Sequence, residues 1–476
     1  VGDVARVVHR VLAACEGVRM VATSRHALGV PGEFVYALPS LPRRDAVELF
    51  VERAQARAAG AAVALAARDR LEELCARLDD LPLAIELAAA RLRTHTVDEL
   101  IAGLADRFAL LSAGARTVEP RQQTLRAVVD WSHDLLDDEE RVVFRRLAAF
   151  VGGATSDAAR AVCSGPAPEG VDVDERDVER VVAQLVDKSL VVVEHDALGT
   201  RWTMLETLRD YAAERLGSSG ENERVLVAHA RHFATFVRPA LRGLVGPDQR
   251  TWFGGLRRER RNLDVALATA LAGGDAQLAI DLTMPLGWYF WMVGELDTGV
   301  AALGEALACA GPTDPTLRAG ALGLYGWLLS NTPELGLAMA ATDEAMSLLD
   351  QVTDPFIRGL VVNTNVMSLF FAGHLDLVDA QIDLLAQVVA EVDDPWITAV
   401  TDLVHGELLQ YRGQPETAER SFLRAADAFE RQGDQFGYAL AVTEASEIAE
   451  MVGDYDRAAE MLRHGLAIAD EVGFSG

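Results

Sequence analysis

AGHLDLVDA (372–380), RGQPETAER (412–420) and VGDYDRAAE (452–460) decide the architecture of the C-terminal half. Their glycines, Gly373, Gly413 and Gly453, recur every 40 residues, and each is followed three places on by an acid, Asp376, Glu416 or Asp456. A repeat of this length is one helix, turn, helix unit, with glycine supplying the turn. VGELDTGVA (293–301) and NTPELGLAM (331–339) are weaker copies that extend the series backward. One such unit cannot bury its own apolar face, so neighbours must stack into a solenoid with a concave surface. On that surface no single residue stands out as a ligand contact.

Upstream of the array, Gly217 to Gly220 form a Ser/Gly linker, and before it the pattern changes. Helices are expected over 124–135, 138–150 and 178–187, followed by strand-like runs at 190–194 and 201–205 about Gly199, which is winged-helix order. The stretch 164–175, with Pro166, Pro168 and Gly170, reads as a loop inside that domain. A block from 43 to 118 carries helices over 45–59, 67–78, 82–93 and 97–105, the third opening on Pro82, whose missing N–H costs nothing in a first turn. At the start, 4–15 is a helix with Val4, Val7, Val8, Val11 and Leu12 on one stripe. Gly17 stops it, and Val18 to Thr23 is an apolar run expected to be a buried strand, the tail of an α/β unit.

Composition narrows the functions. A net charge of −28 opposes a direct grip on nucleic-acid phosphates, which needs local basic excess. The expected recognition helix, 178–187, offers one Arg and one Gln against Glu179 and Asp187, poor groove chemistry. Arg257, Arg258, Arg260 and Arg261 surround Glu259 and read as a solvated or interdomain face. His229 and His232 share a helix face without a third ligand, so no metal site is expected. Cys15, Cys75, Cys163 and Cys309 form no C-x-x-C pair, and no export signal or membrane span is expected, which points to the cytoplasm.

Taken together, VRMVATSR (18–25), LDDLPLAIELAAARL (78–92), WTMLETLRDYAAERL (202–216) and the 40-residue repeats make the chain resemble the STAND, or NB-ARC-like, ATPases of actinobacterial antibiotic regulators and related large transcriptional activators. The resemblance spans nearly the whole chain, and its block order is more specific than any one motif. It implies a mainly α fold: a remnant of an α/β nucleotide-binding domain (1–42), a helical domain (43–118), a winged helix (119–217), a helical linker region (218–290) and tetratricopeptide-like repeats (291–476). It implies that Arg25 reaches the terminal phosphate of ATP, that Pro82, in the L-P-L-A run, packs on adenine, and that Leu81 beside it belongs to the nucleotide site. Asp80 stands where that family has glycine. Met204, Leu205 and Glu206 stand where it has M-H-D, so the phosphate-contacting His is replaced and Glu206 is left as a helix N-terminal acid near the nucleotide.

The glycine-rich phosphate loop is missing from the sequence, because the one lysine, Lys188 in VDKSLVVV, has no glycines around it. The chain is therefore expected to be a fragment that binds ATP or ADP, with magnesium, only in a complete protein, and that does not hydrolyse ATP alone. A protein partner or small ligand is expected on the repeats, homo-oligomerisation in the active state, DNA contact only through an upstream domain, and no membrane. The alternative is a nucleotide-independent tetratricopeptide-repeat scaffold for protein interaction.

Overall fold

The chain is helical nearly throughout in the computed structural model, which describes residues 2–15, 17–22, 28–36, 38–56, 68–92, 95–103 and 125–472. These fall into two units, Val1–Val225 and Leu226–Gly476. No helix among the described residues is long and apolar enough to cross a membrane.

In the first unit, α1 (Gly2–Ala14) buries Val8, while Val4 and Val7 are about half exposed. The strand expected over 18–23 is not found at the described positions 18–22, where Val21 is 98% exposed. Apolar content alone does not make a strand. It needs a ladder partner, and the four described strands pair with one another and, through Trp202, with Ala154, never with 18–22. The helical block then follows as α2 (Arg43–Ala56), α3 (Arg68–Arg77), α4 (Pro82–Arg91) and α5 (Val97–Gly103). α2 packs on both α3 and α4, around the fully buried Phe50, Leu74 and Ile85.

After α6 (Leu125–Asp134) comes the winged helix: α7 (Asp138–Leu147), α8 (Ser156–Cys163), the short pair β1 (Gly165–Pro166) and β2 (Asp172–Val173), α9 (Val178–Asp187), the wing β3 (Val192–Asp196) and β4 (Gly199–Thr203), and α10 (Glu206–Ser218). α8 is absent from the sequence-based expectation. It is eight residues long, too short for a clear periodicity, although Thr155 before it caps the amide of Ala158. The three-helix set is thus α7, α8 and α9, with α6 preceding it. The wing pairs Glu194 with Arg201 and Asp196 with Gly199.

Two charge clusters hold this domain. Asp137 and Glu140 form a capping box on α7, with reciprocal bonds of 2.9 and 2.8 Å. The buried Glu140 also pairs with Lys188 at the end of α9, so the only lysine serves structure. Glu221, 3% exposed, accepts from Arg145 Nε (2.6 Å), Arg146 Nη2 (2.7 Å) and Arg224 Nη2 (2.8 Å). Arg146 is fully buried and donates in addition to the carbonyls of Cys163, Ser164, Gly165 and Pro166.

The second unit continues through α11 (Asn222–Val237), α12 (Ala240–Gly243), α13 (Gln249–Ala272), α14 (Ala276–Thr283), α15 (Gly287–Met292) and α16 (Leu296–Ala308). Helix pairs follow: α17 (Pro315–Ser330) with α18 (Leu335–Ser347), α19 (Pro355–Phe371) with α20 (Leu375–Val392), α21 (Pro395–Tyr411) with α22 (Pro415–Gln432), and α23 (Gln435–Met451) with α24 (Tyr455–Val472). Each helix packs on the next, a solenoid of tetratricopeptide-like pairs. Gly373, Gly413 and Gly453 sit at φ of 78°, 71° and 81° in the turn within each pair, the left-handed conformation that favours glycine.

A second period marks the start of each pair. Asp314, Asp354, Asp394 and Asp434 lie 40 apart, and each caps its helix by accepting from Leu317, from Phe356 and Ile357, from Trp396 and Ile397, and from Gly437 respectively. In the first three, proline follows at the first helical position. Side-chain bonds link successive pairs, among them Ser330 to Ser368 (2.9 Å) and Thr401 to Asn363 (3.1 Å). In the arginine run of α13, Arg260 binds Asp264 and Glu295 and lies 5.3 Å from the Phe290 ring centre, so it is engaged inside the unit.

Where α21 crosses α22, Gly406 lets the buried Phe422 ring lie against its backbone, and a Cβ there would overlap the ring. We expect Gly406→Ala to lower stability by about 1–3 kcal/mol, the usual cost of overpacking, read as a lower urea midpoint at unchanged slope.

Candidate functional site

The expected nucleotide side is built around the end of α3. Asp79 and Asp80 both adopt left-handed backbone, φ 56° and 52°, so the turn before Leu81 forms without the glycine of the resembled family. Two hydrogen-bonded side chains fix it. Arg43 grips Asp80 with two bonds, 2.8 and 2.7 Å, and donates to the Glu72 carbonyl at 2.9 Å. Asp79 accepts from the amide of Glu206 (2.8 Å), the amide of Thr207 (2.8 Å) and the Thr207 hydroxyl (2.6 Å). Its carboxylate therefore occupies the N-terminus of α10, where free amides and the helix dipole favour an anion.

Of the residues the sequence singles out, Leu81 and Pro82 sit at the start of α4, Leu81 half-buried and Pro82 exposed. Glu206 opens α10 as its first-turn acid, with its amide held by Asp79, so Glu206 and the L-P-L-A turn come together. Arg25 lies outside the described residues. Asp79, Thr207 and Arg43 are absent from the sequence reading. The signal was the acid doublet before L-P-L-A, but its partner is 127 residues away. We expect Asp79→Ala to cost about 1–2 kcal/mol, as losing a helix cap does, in chemical denaturation of the first unit.

A second site lies wholly within the repeat unit. A cavity of about 50 Å³, open to solvent, is lined by Trp288 and Trp291 of α15, Trp327 of α17, Trp396 of α21 and Phe429 of α22. Four of the seven tryptophans of the chain meet there. Trp288 lies 4.8 Å from Trp291 and 5.3 Å from Trp396 between ring centres, and Trp291 lies 5.2 Å from Trp327.

Two carboxylates line it. Asp434 caps α23 and accepts from Trp396 Nε1 (2.7 Å) and Gln249 Nε2 (2.8 Å), which fixes the Trp396 indole. Burial pushes its carboxyl up against the pull of those donors. Glu407 of α21 has no ion-pair partner among the described residues, and burial, with Glu444 and Glu447 adding repulsion, pushes its carboxyl up to about 8. Glu444 rises to about 7 for the same reasons, burial first and Glu447 second.

A carboxyl raised in the folded state keeps its proton there after the unfolded chain has lost it. From its ordinary value of 4.5 up to about 8, Glu407 thus makes stability fall as pH rises. Glu407→Gln is expected to melt with the parent at pH 5 and at least about 3 °C above it at pH 9, measured by circular dichroism.

Residues 136–217 match the family of winged helix-turn-helix domains. Over 452 residues the chain is 33% identical to a protein of Mycobacterium tuberculosis named "Putative HTH-type transcriptional regulator", covering 91% of this chain and 49% of that one. It is 40% identical over 230 residues to an uncharacterized protein of the same organism, covering 48% of this chain and 57% of that one. The chain spans about half the length of the curated relatives it matches. A solved signal transduction ATPase with numerous domains (STAND) and a tetratricopeptide repeat sensor, from Pyrococcus horikoshii, aligns with 94% of this chain and 62% of its own at 12% identity, with a TM-score of 0.44.

Proposed function

We propose that this chain is the clamp-and-sensor portion of a nucleotide-dependent regulator of transcription. The repeat unit receives a signal, the helical block and winged helix relay it, and DNA is reached through another part of the protein. The name borne by the 33% identical relative supports the regulatory reading. The carrying observation is the Asp79 bridge. It ties the L-P-L-A turn to the start of α10, the two places where the STAND resemblance puts nucleotide contacts.

In this reading ATP or ADP, with magnesium, lies beside Leu81 and Pro82, with Arg25 at the terminal phosphate and Glu206 close by. A phosphate reaching the start of α10 competes with Asp79 for the same amides. Occupancy of that helix end by Asp79 in one state and by phosphate in the other supplies the differential contact a two-state switch requires. Exposed apolar side chains in the first segment, Phe34 at 87%, Leu38 at 87% and Val21 at 98%, support a covering partner there, which the rest of a nucleotide domain would supply.

The test is calorimetric titration of ADP and ATP into this chain and into a version running to both ends of its reading frame. Binding to the longer version, with Arg25→Ala weakening its preference for ATP, upholds the switch. If neither binds, the nucleotide-independent repeat scaffold replaces it.

A further inference from the structure

The tryptophan-lined cavity demands a particular chemistry. Indole faces are electron-rich and attract cations, and four of them with Phe429 wall one space. At that wall stands Glu407, which no Lys or Arg pairs with among the described residues. Asp434 cannot serve as the ligand's counter-charge in the same way, since Trp396, Gln249 and the Gly437 amide already use its oxygens.

Polar groups of the opposite kind are also unmet. The indole N–H groups of Trp288, 8% exposed, and of Trp327 are buried without an acceptor among the described residues. Buried donors without acceptors are uncommon and ask for an explanation. A ligand carrying both an ammonium and an acceptor oxygen answers both needs. A neutral hydrocarbon answers neither.

We propose that this cavity binds a small amphipathic amine, its apolar body among Trp288, Trp291, Trp327 and Trp396, its ammonium at Glu407, and an acceptor oxygen at the free indole N–H groups. Asp434 is a positioning residue that orients Trp396. The inference rests on reading the repeat unit as the part that receives the signal, and it names the chemical class of that signal. The nucleotide titration uses other residues, so either result stands whatever the other shows.

The experiment titrates 3-phenoxypropylamine, 3-phenoxypropan-1-ol and 3-phenoxypropanoate, which share an ether oxygen as acceptor, into the full chain at about pH 8.5, where the Glu407 carboxyl is mostly ionised and an alkyl ammonium keeps its proton, followed by tryptophan fluorescence and calorimetry. The amine is expected to bind at least about tenfold more tightly than the alcohol, the range of a desolvated cation–π contact with a carboxylate beside it, and the propanoate least of all. In Glu407→Gln the amine should fall to the level of the alcohol while the circular dichroism spectrum is kept. Equal affinity for amine and alcohol in the parent would mean a neutral apolar pocket and overturn the proposal. So would an amine preference that survives Glu407→Gln, or no binding of any probe at millimolar concentration. Should Glu407→Gln not fold, the ratio of amine to alcohol in the parent decides alone.

Discussion

Replacing Glu221 by glutamine lowers the stability of the first unit by about 3–5 kcal/mol, the cost of leaving buried charge uncompensated. The carboxylate answers three guanidiniums, and that of Arg146 has no route to water. Burial pushes the Glu221 carboxyl up, but Arg146, Arg224 and Arg145 outweigh it and hold it at about 2. A depressed carboxyl contributes stability that is fully present above the unfolded value, 4.5, and is lost as pH falls toward 2. The parent should therefore lose stability steeply between those values, and Glu221→Gln should show a shallower slope in the same window. Urea titrations from pH 7 to pH 2, read at the first unit's tryptophans, check both parts. An unchanged midpoint at pH 7 would mean that the guanidiniums find other acceptors.

Asp434→Ala is expected to cost about 2–4 kcal/mol, because it strands several buried donors at once: the indole of Trp396, the side-chain amide of Gln249 and the backbone amide of Gly437. The other three capping aspartates lie nearer solvent, and losing one of them should cost about 1 kcal/mol, the value of a helix cap. Thermal melts of Asp354→Ala and Asp434→Ala side by side test the contrast. The indole of Trp396 should also become mobile in Asp434→Ala, seen as lowered fluorescence anisotropy. Equal losses in the two variants would reduce Asp434 to one more cap.

The glycines at 373, 413 and 453 announce the solenoid because a left-handed turn can hardly use another residue. The aspartates at 314, 354, 394 and 434 carry the same period, and its one irregularity, Gln435 where the others have proline, marks the cap that turns inward. The aromatic cavity was not legible. Trp288, Trp291, Trp327 and Trp396 occupy unlike positions in their helices, and only the stacking of successive pairs brings them to one wall. Asp79 shows the same limit, since it adjoins a visible motif but acts on amides 127 residues on. The run from Val18 failed as a strand for the opposite reason. Its apolarity was local information, and pairing is not local.

The single lysine has a practical consequence. Lys188 is held against buried Glu140, its side chain one-fifth exposed, where α9 meets the cap of α7. Acylating reagents find one ε-amine in the sequence, so their rate of attack on it becomes a clock for the opening of one domain. Mass spectrometry of the peptide that carries Lys188 follows that clock in the presence of nucleotide, apart from the α-amine of the chain and with no second lysine to confuse the count.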